Sequence, residues 1–498
     1  MHDPLWSHTA DLPEFPALGA DANCDVCVVG AGIAGLATAY RLAREGVNVL
    51  VVDRAQVAAG ETHHTTAHLA SAQDDGVVTL EKQHGEEGAR HAVESHAAAI
   101  DWLEETAREE DIACDFRRVP GYLFLAPGDE PDLLDSELDA SRRAGLDVQR
   151  QARAPLPAFD TGPCLAFQNQ ARFHPLRFMG GLAEALVRRG GRIHGHTRVV
   201  EVDDTHATGP RRVRTADGHT ILAEHVVLAT NAPAGKYLVT MKMVPYRTFV
   251  STLRLTGEVP DALYWDTADP YHYVRLAEDA EGPLLIVGGG DYRTGTEDAG
   301  REKLRGLEEW ARERFPAGDV AYQWSGQVLE PADAMAFIGE VRTESRVYMI
   351  TGDSGQGMTH GAIGALLLGD LIRGRENVWQ DLYSPARLSA SATGEYLKDA
   401  ARVGSRYLEW LRPGQVDSVD EVPAGQGAVM RDGAAPVAVY RDEQGRVHRR
   451  SAVCTHAGCI VRWNSSDAHW ECPCHGSRFS PQGEVVGGPA VLDLEVRE

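Results

Sequence analysis

The chain has 498 residues, with 49 basic against 73 acidic side chains and a net charge of −24. That length allows two or three domains with a large core, and the charge disfavours nucleic acid and anionic membrane surfaces as partners. No run approaches the ~18 apolar residues that span a bilayer, and the first 23 residues lack the basic start and apolar core of an export signal, so a cytoplasmic location is expected.

Residues 25–29 read as a buried strand, followed by Gly30-Ala-Gly32-Ile-Ala-Gly35, a helical pattern over 36–45 and a second apolar strand over 47–52 that ends at Asp53. Glycines keep such a turn tight and let backbone approach a pyrophosphate at the helix N-terminus, while the acid suits ribose hydroxyls. A strand–turn–helix–strand unit of this kind predicts a bound dinucleotide, FAD or NAD. Cys24 and Cys27 form a C-x-x-C leading into the first strand and read as core thiols.

Residues 60–67, Gly-Glu-Thr-His-His-Thr-Thr-Ala, resemble the segment that wraps FAD in the D-amino-acid oxidase superfamily, which includes sarcosine oxidase and glycine oxidase. The resemblance implies FAD, with Thr62, His64, Thr65 and Thr66 beside it. Some members carry FAD covalently on the His of G-x-T-x-H. His64 occupies that place; the alternative is that it only packs near the flavin.

Helical patterns follow over 86–110, 132–144 and 176–189, and an Asp217-Gly218 turn marks a hairpin. Residues 226–230 are expected to return the chain to the first sheet. Residues 244–255 and 264–276 read as antiparallel strands of a sheet over the flavin. Period two places Tyr271, Tyr273 and Arg275 on one face, the expected substrate wall and catalytic group; an ordinary amphipathic strand is the alternative. Gly288-Gly-Gly290 mimics a second nucleotide fingerprint, but Arg293 stands where its third Gly belongs and no helix follows at once.

Glu330 precedes Pro331 at the place where glycine oxidase has an Arg that binds the substrate carboxylate. The comparison implies an amine, or another uncharged or cationic donor. Gly352, Gly355, Gly357, Met358 and Thr359 form a Gly-rich turn into a helix over 362–373. Superfamily members close the FAD site with such a turn, whose amides stabilise negative charge on the reduced flavin.

An amphipathic helix is predicted over 391–411, and 413–427 is rich in Pro, Gly and acids, as a linker would be. Beyond it lie Cys454-Thr-His456 and Cys472-Pro-Cys-His475. Two Cys and two His at this spacing suit a Rieske [2Fe–2S] centre, with Cys454 and Cys472 on one iron and His456 and His475 on the other. A structural zinc site is the alternative. Cys459 and Cys474, one in each loop and free to bridge them, argue against zinc. The boxes resemble those of high-potential Rieske proteins of respiratory cytochrome complexes, which carry that interloop disulfide, a box-two Ser and a later Tyr. Here Ser477 is present but Phe479 replaces the Tyr, which implies a lower potential. A disulfide is uncommon in the cytoplasm; burial beside a cluster would protect it.

The expected fold is an α/β FAD-binding (Rossmann-like) domain with an α+β antiparallel-sheet substrate domain, plus a small all-β Rieske domain. The flavoprotein part spans 1–412, with FAD-binding segments near 24–75, 175–235 and 335–375 and a substrate domain near 110–170 and 240–335; 413–427 links it to a Rieske domain over 428–498. The expected function is a dehydrogenase that oxidises an amine or related small C–H donor and passes electrons from FAD through the cluster to an external acceptor. The alternatives are a reductase or electron-transfer protein running in the opposite direction, or a non-catalytic redox sensor. A Rieske oxygenase is excluded, because no 2-His-1-carboxylate iron site is evident.

Overall fold

The structure, a computed structural model, describes residues 3–203, 209–233, 235, 237–389 and 393–497. The predicted helix start at Ser391 and the chain start at Met1 lie outside the described residues.

The first sheet runs Phe337–Glu340, Val347–Thr351, Thr220–Leu228, Ala22–Val29, Val49–Val52, Arg192–His194 in spatial order. All neighbours are parallel except the first pair. Cys27 lies between Val226 and Leu50 in register. These strands are near-continuous runs of Val, Leu and Ile because both faces are covered. Ile33–Ala43 and Gly357–Ile372 pack together over one face and contribute Leu36, Tyr40, Ile363 and Leu367 to the main core.

The second sheet has nine strands and is mostly antiparallel. Its long members are Met243–Leu255, Gly282–Arg293 and Ala317–Pro331. Gly288–290 sits inside the second of these, with Gly288 opposite Tyr273. A Cβ on Gly288 would lie 2.1 Å from the Tyr273 ring. The glycine run therefore makes room for an aromatic ring and is no phosphate turn.

The C-terminal region folds as two small antiparallel sheets, one of three strands and one of four. The stretch read as a linker is folded against the first. Val422 is buried with Val437 and Val439, and Gln415 N donates to Val429 O at 2.6 Å. Val416, Val419 and Val422 cover apolar side chains that the three strands alone would leave in water. Among the described residues, no helix is long and apolar enough to cross a membrane.

Candidate flavin cavity and iron–sulfur centre

A cavity of about 1010 Å³ opens between the two large sheets and the small domain. Gly30, Gly32 and Asp53 line one end. Gly30 has φ +111°, and its Cβ would lie 2.3 Å from Ala229 O; a Cβ on Gly35 would lie 1.8 Å from Gly30 O. Only glycine allows this turn, which fits a cradle for a pyrophosphate. Asp53 accepts from Ala31 N at 2.7 Å and from Ala55 N at 2.8 Å. Each oxygen keeps a lone pair for a ribose hydroxyl. Thr62 Oγ1 accepts from Ile33 N at 3.0 Å and fixes the helix start.

His64, Thr65 and Thr66 also line the cavity. His64 Nδ1 lies 3.2 Å from Gly60 O, and burial lowers the ring's affinity for protons. Of the Gly-rich turn, Gly355, Gly357 and Met358 face the cavity. Gly352 and Thr359 stand behind it, Gly352 against Pro331 and Thr359 donating to Gln356 O at 3.1 Å.

The cations of the cavity lie at one end. Arg54, Arg198 and Arg478 line the nucleotide end beside the acids Asp53 and Glu61, whereas Asp74, Asp75, Asp291, Glu330 and Asp353 line the other. Burial raises all five carboxyls, Asp75 among them: Asp74 and Asp291 to about 6, Asp353 to about 7 and Glu330 to about 8. Glu330 is raised further by Asp75, Asp291 and Asp353. Arg293 lies near Glu330 and Lys303 near Asp291, but neither lines the cavity. The acids come from four separate segments, so only Glu330 was visible to motif reading.

Tyr271 and Tyr273 line this end with ring centroids 5.3 Å apart. Tyr271 Oη donates to Asp74 Oδ2 at 2.7 Å, and Tyr273 Oη bonds Thr248 Oγ1 at 2.8 Å. Burial keeps both phenols protonated, so they donate and orient. Arg275 follows on the same strand but does not reach the cavity. Its guanidinium donates to Ala67 O at 2.6 Å and Phe173 O at 3.1 Å and lies over the Trp6 ring.

In the small domain the two cysteine loops have matching turns: Gly458 N donates to Cys454 O, and Gly476 N to Cys472 O, each at 3.0 Å. Cys459 and Cys474 form a disulfide. The Cys454 and Cys472 thiols are hydrogen-bonded to each other, which holds Cys454 down to about 7 and pushes Cys472 well up. The His456 and His475 rings approach with centroids 4.9 Å apart. His475 Nδ1 is buried with no hydrogen-bond partner among the described residues. Two paired thiols, two convergent imidazoles and an orphaned ring nitrogen fit a [2Fe–2S] cluster bound by Cys₂His₂. Ser477 bonds Cys454, whereas Phe479 is fully buried and brings no hydroxyl.

The small domain docks through buried charge. Arg247, 1% exposed, pairs with Asp467 and lies 3.5 Å from Glu471. Arg478 pairs with Glu61. Arg478, Gly487 and Gly488 form part of the cavity wall, so both domains enclose one space.

This fold and site define a flavoprotein with a Rieske domain at its C-terminal end. The chain belongs to the FAD dependent oxidoreductase (DAO) family, whose profile matches residues 25–371; a Rieske [2Fe-2S] domain matches residues 412–496. It is an FAD-dependent oxidoreductase whose cofactors are FAD and a [2Fe–2S] cluster. The chain is 31% identical to the Rieske 2Fe-2S iron-sulfur protein YhfW of Bacillus subtilis, over 99% of this chain and 97% of the relative. It is 28% identical to the gamma-glutamylputrescine oxidoreductase of Escherichia coli, over 72% of this chain and 86% of that protein. Its fold is similar to glycine oxidase from Geobacillus kaustophilus (TM-score 0.62, 18% identity, 74% of this chain and 99% of that one).

Proposed function

We propose that the protein is a dehydrogenase for a cationic amine or related small C–H donor, with an external one-electron acceptor. The observation that carries this reading is one cavity with an acidic wall at one end and the Rieske domain built into its side. When bound, FAD takes a hydride equivalent and the cluster carries single electrons. The amine becomes an imine with loss of two electrons and two protons, and two one-electron deliveries complete each turnover.

The protein's part is recognition and proton handling. Asp74, Asp75 and Asp291 favour an ammonium over a carboxylate, and Glu330, which joins them as an anion above pH 8, stands at the position where glycine oxidase has an arginine. An amine must lose its proton before its C–H bond can yield a hydride. Asp74, at about 6, is ionised and accepts that proton near neutral pH, whereas Glu330, at about 8, holds its own proton there and can accept one only in more alkaline solution. Tyr271 and Tyr273 orient the donor through their hydroxyls. Gly30, Gly32, Asp53, Thr62, Thr65 and Thr66 hold the flavin, and Gly355, Gly357 and Met358 close over it. His64 either packs beside it or carries it covalently; fluorescence of the denatured protein on a gel decides between the two.

The test is anaerobic mixing with a panel of amines and amino acids, led by γ-glutamylputrescine because of the Escherichia coli relative. Flavin bleaching followed by loss of the oxidised cluster's absorbance is expected with cationic amines. Bleached flavin beside a persistently oxidised cluster, or bleaching by NADH alone, would overturn the reading.

A further inference from the structure

Gln327 joins the flavin cavity to the loops of the iron–sulfur centre. It is 4% exposed, lies on the strand Ala317–Pro331 and lines the cavity. Its Nε2 donates to Gly476 O at 3.1 Å, and Gly476 directly follows the iron ligand His475. Its backbone N donates to Glu61 Oε2 at 2.8 Å, and Glu61 pairs with Arg478 of the small domain. The contact leaves no slack: a Cβ on Gly476 would lie 2.6 Å from both Gln327 Nε2 and Pro245 Cβ.

The orientation of the amide follows from its partner. Gly476 O only accepts, so the NH₂ must face it. The carbonyl Oε1 then points elsewhere, and it is buried without a hydrogen-bond partner among the described residues. An unpaired buried acceptor is costly unless a donor meets it. A residue of the cavity wall that grips the cluster loop through its side-chain amide is placed between two redox centres.

We infer that Gln327 positions and couples the flavin and the cluster, supplying the bonded path by which single electrons pass between them. This rests on the reading above that electrons pass between flavin and cluster. In each event one electron leaves the reduced flavin and one enters the oxidised cluster. No bond forms or breaks at Gln327, which stays a neutral amide; the proton released on flavin oxidation goes to solvent. Electronic coupling decays more steeply across a gap than through bonded contacts, so loss of the amide slows transfer without changing either end.

The experiment uses the full-length holoprotein. The flavin is photoreduced anaerobically with EDTA as sacrificial donor, so no substrate is needed, and cluster reduction is followed by absorbance and EPR. Gln327→Leu and Gln327→Met are expected to slow cluster reduction several-fold, with EPR signal, cluster midpoint potential and flavin content as in the native protein. The methionine variant preserves the test should the leucine variant lose a cofactor. Ser465→Ala is the control: it removes an exposed interdomain bond to Asp298 and is expected to leave the rate unchanged. A native rate in both Gln327 variants overturns the inference, as does a slowed rate matched by Ser465→Ala or accompanied by a shifted potential. A native protein whose flavin cannot reduce the cluster overturns the functional reading as well.

Discussion

Replacing Glu330 with Gln separates the charge of the acidic wall from its shape. Burial, then Asp75, Asp291 and Asp353, hold the Glu330 carboxyl at about 8 against an ordinary 4.5. At ~1.4 kcal/mol per unit, ionising it in place costs on the order of 4 kcal/mol. The sign follows from proton counting. The unfolded chain ionises this group near 4.5 and the folded chain near 8, so the folded state binds the extra proton between those values. Stability therefore falls as pH rises through that window and levels off above 8. The neutral amide of the Glu330→Gln variant would have no such dependence. Urea midpoints of native protein and Glu330→Gln, both loaded with FAD, are expected to lie close together near pH 5. They should diverge with rising pH, the variant being more stable by up to roughly 4 kcal/mol at pH 9. Above pH 8, where Glu330 is ionised, the same variant should raise the KM for a cationic amine and leave that for a neutral isostere unchanged, because only the ammonium loses a partner. Parallel midpoints across pH, or an unchanged KM for the cation, would refute the assignment of Glu330 as a strained, substrate-facing carboxyl.

Gly35→Ala puts a Cβ 1.8 Å from Gly30 O, so flavin retained through gel filtration should fall at least about tenfold while the cluster EPR persists, one tenfold being ~1.4 kcal/mol of lost binding; normal flavin content counts against the cradle. Arg247→Met leaves Asp467 and Glu471 buried without their cation and should lower stability by about 3–5 kcal/mol, with little sensitivity to salt because the group is shielded from ions; native melting would show that the clamp contributes nothing. Phe479→Tyr supplies the hydroxyl that the buried Phe479 ring lacks and should raise the cluster's midpoint potential; an unchanged potential removes the explanation offered for a low value.

How much could be read beforehand follows from where each feature is encoded. The glycine turn and the cysteine boxes are local, since every contact that defines them lies within one turn or one pair of loops. Glu330 was legible because one side chain changes sign at one position. The rest of the acidic wall was not, since Asp74, Asp291 and Asp353 meet only after two sheets have packed. Arg275 shows the limit of period two. Strand alternation places it correctly relative to Tyr273, but the strand runs on from the cavity into the core, where Trp6 and two carbonyls occupy the guanidinium. The Pro- and Gly-rich stretch after Arg412 has a linker's composition, yet its three valines close the core of the small domain. The docking clamp was invisible because Arg247 and Asp467 are 220 residues apart.

The docking has a consequence for how the cluster would be used. Buried charge at Arg247 makes undocking of the small domain expensive, because separation would leave Asp467 and Glu471 without their cation. Under the proposed function, electrons therefore enter a cluster held in place, with no swinging domain to carry them. The two loops then differ in role. Box two rests on Pro245 and Gln327 and faces the flavin side. Box one has carbonyls at Ala457 and Gly458 that accept from Tyr407 Oη at 2.5 Å and Trp410 Nε1 at 3.0 Å. Tyr407, Leu408 and Leu411 are exposed beside it. Under the proposed function a fixed cluster needs an entry side and an exit side, and box two, on Gln327, would be the entry. Box one would then be the exit, and substitutions at Tyr407 or Trp410 are expected to alter delivery to the acceptor while leaving cluster reduction by the flavin at its native rate.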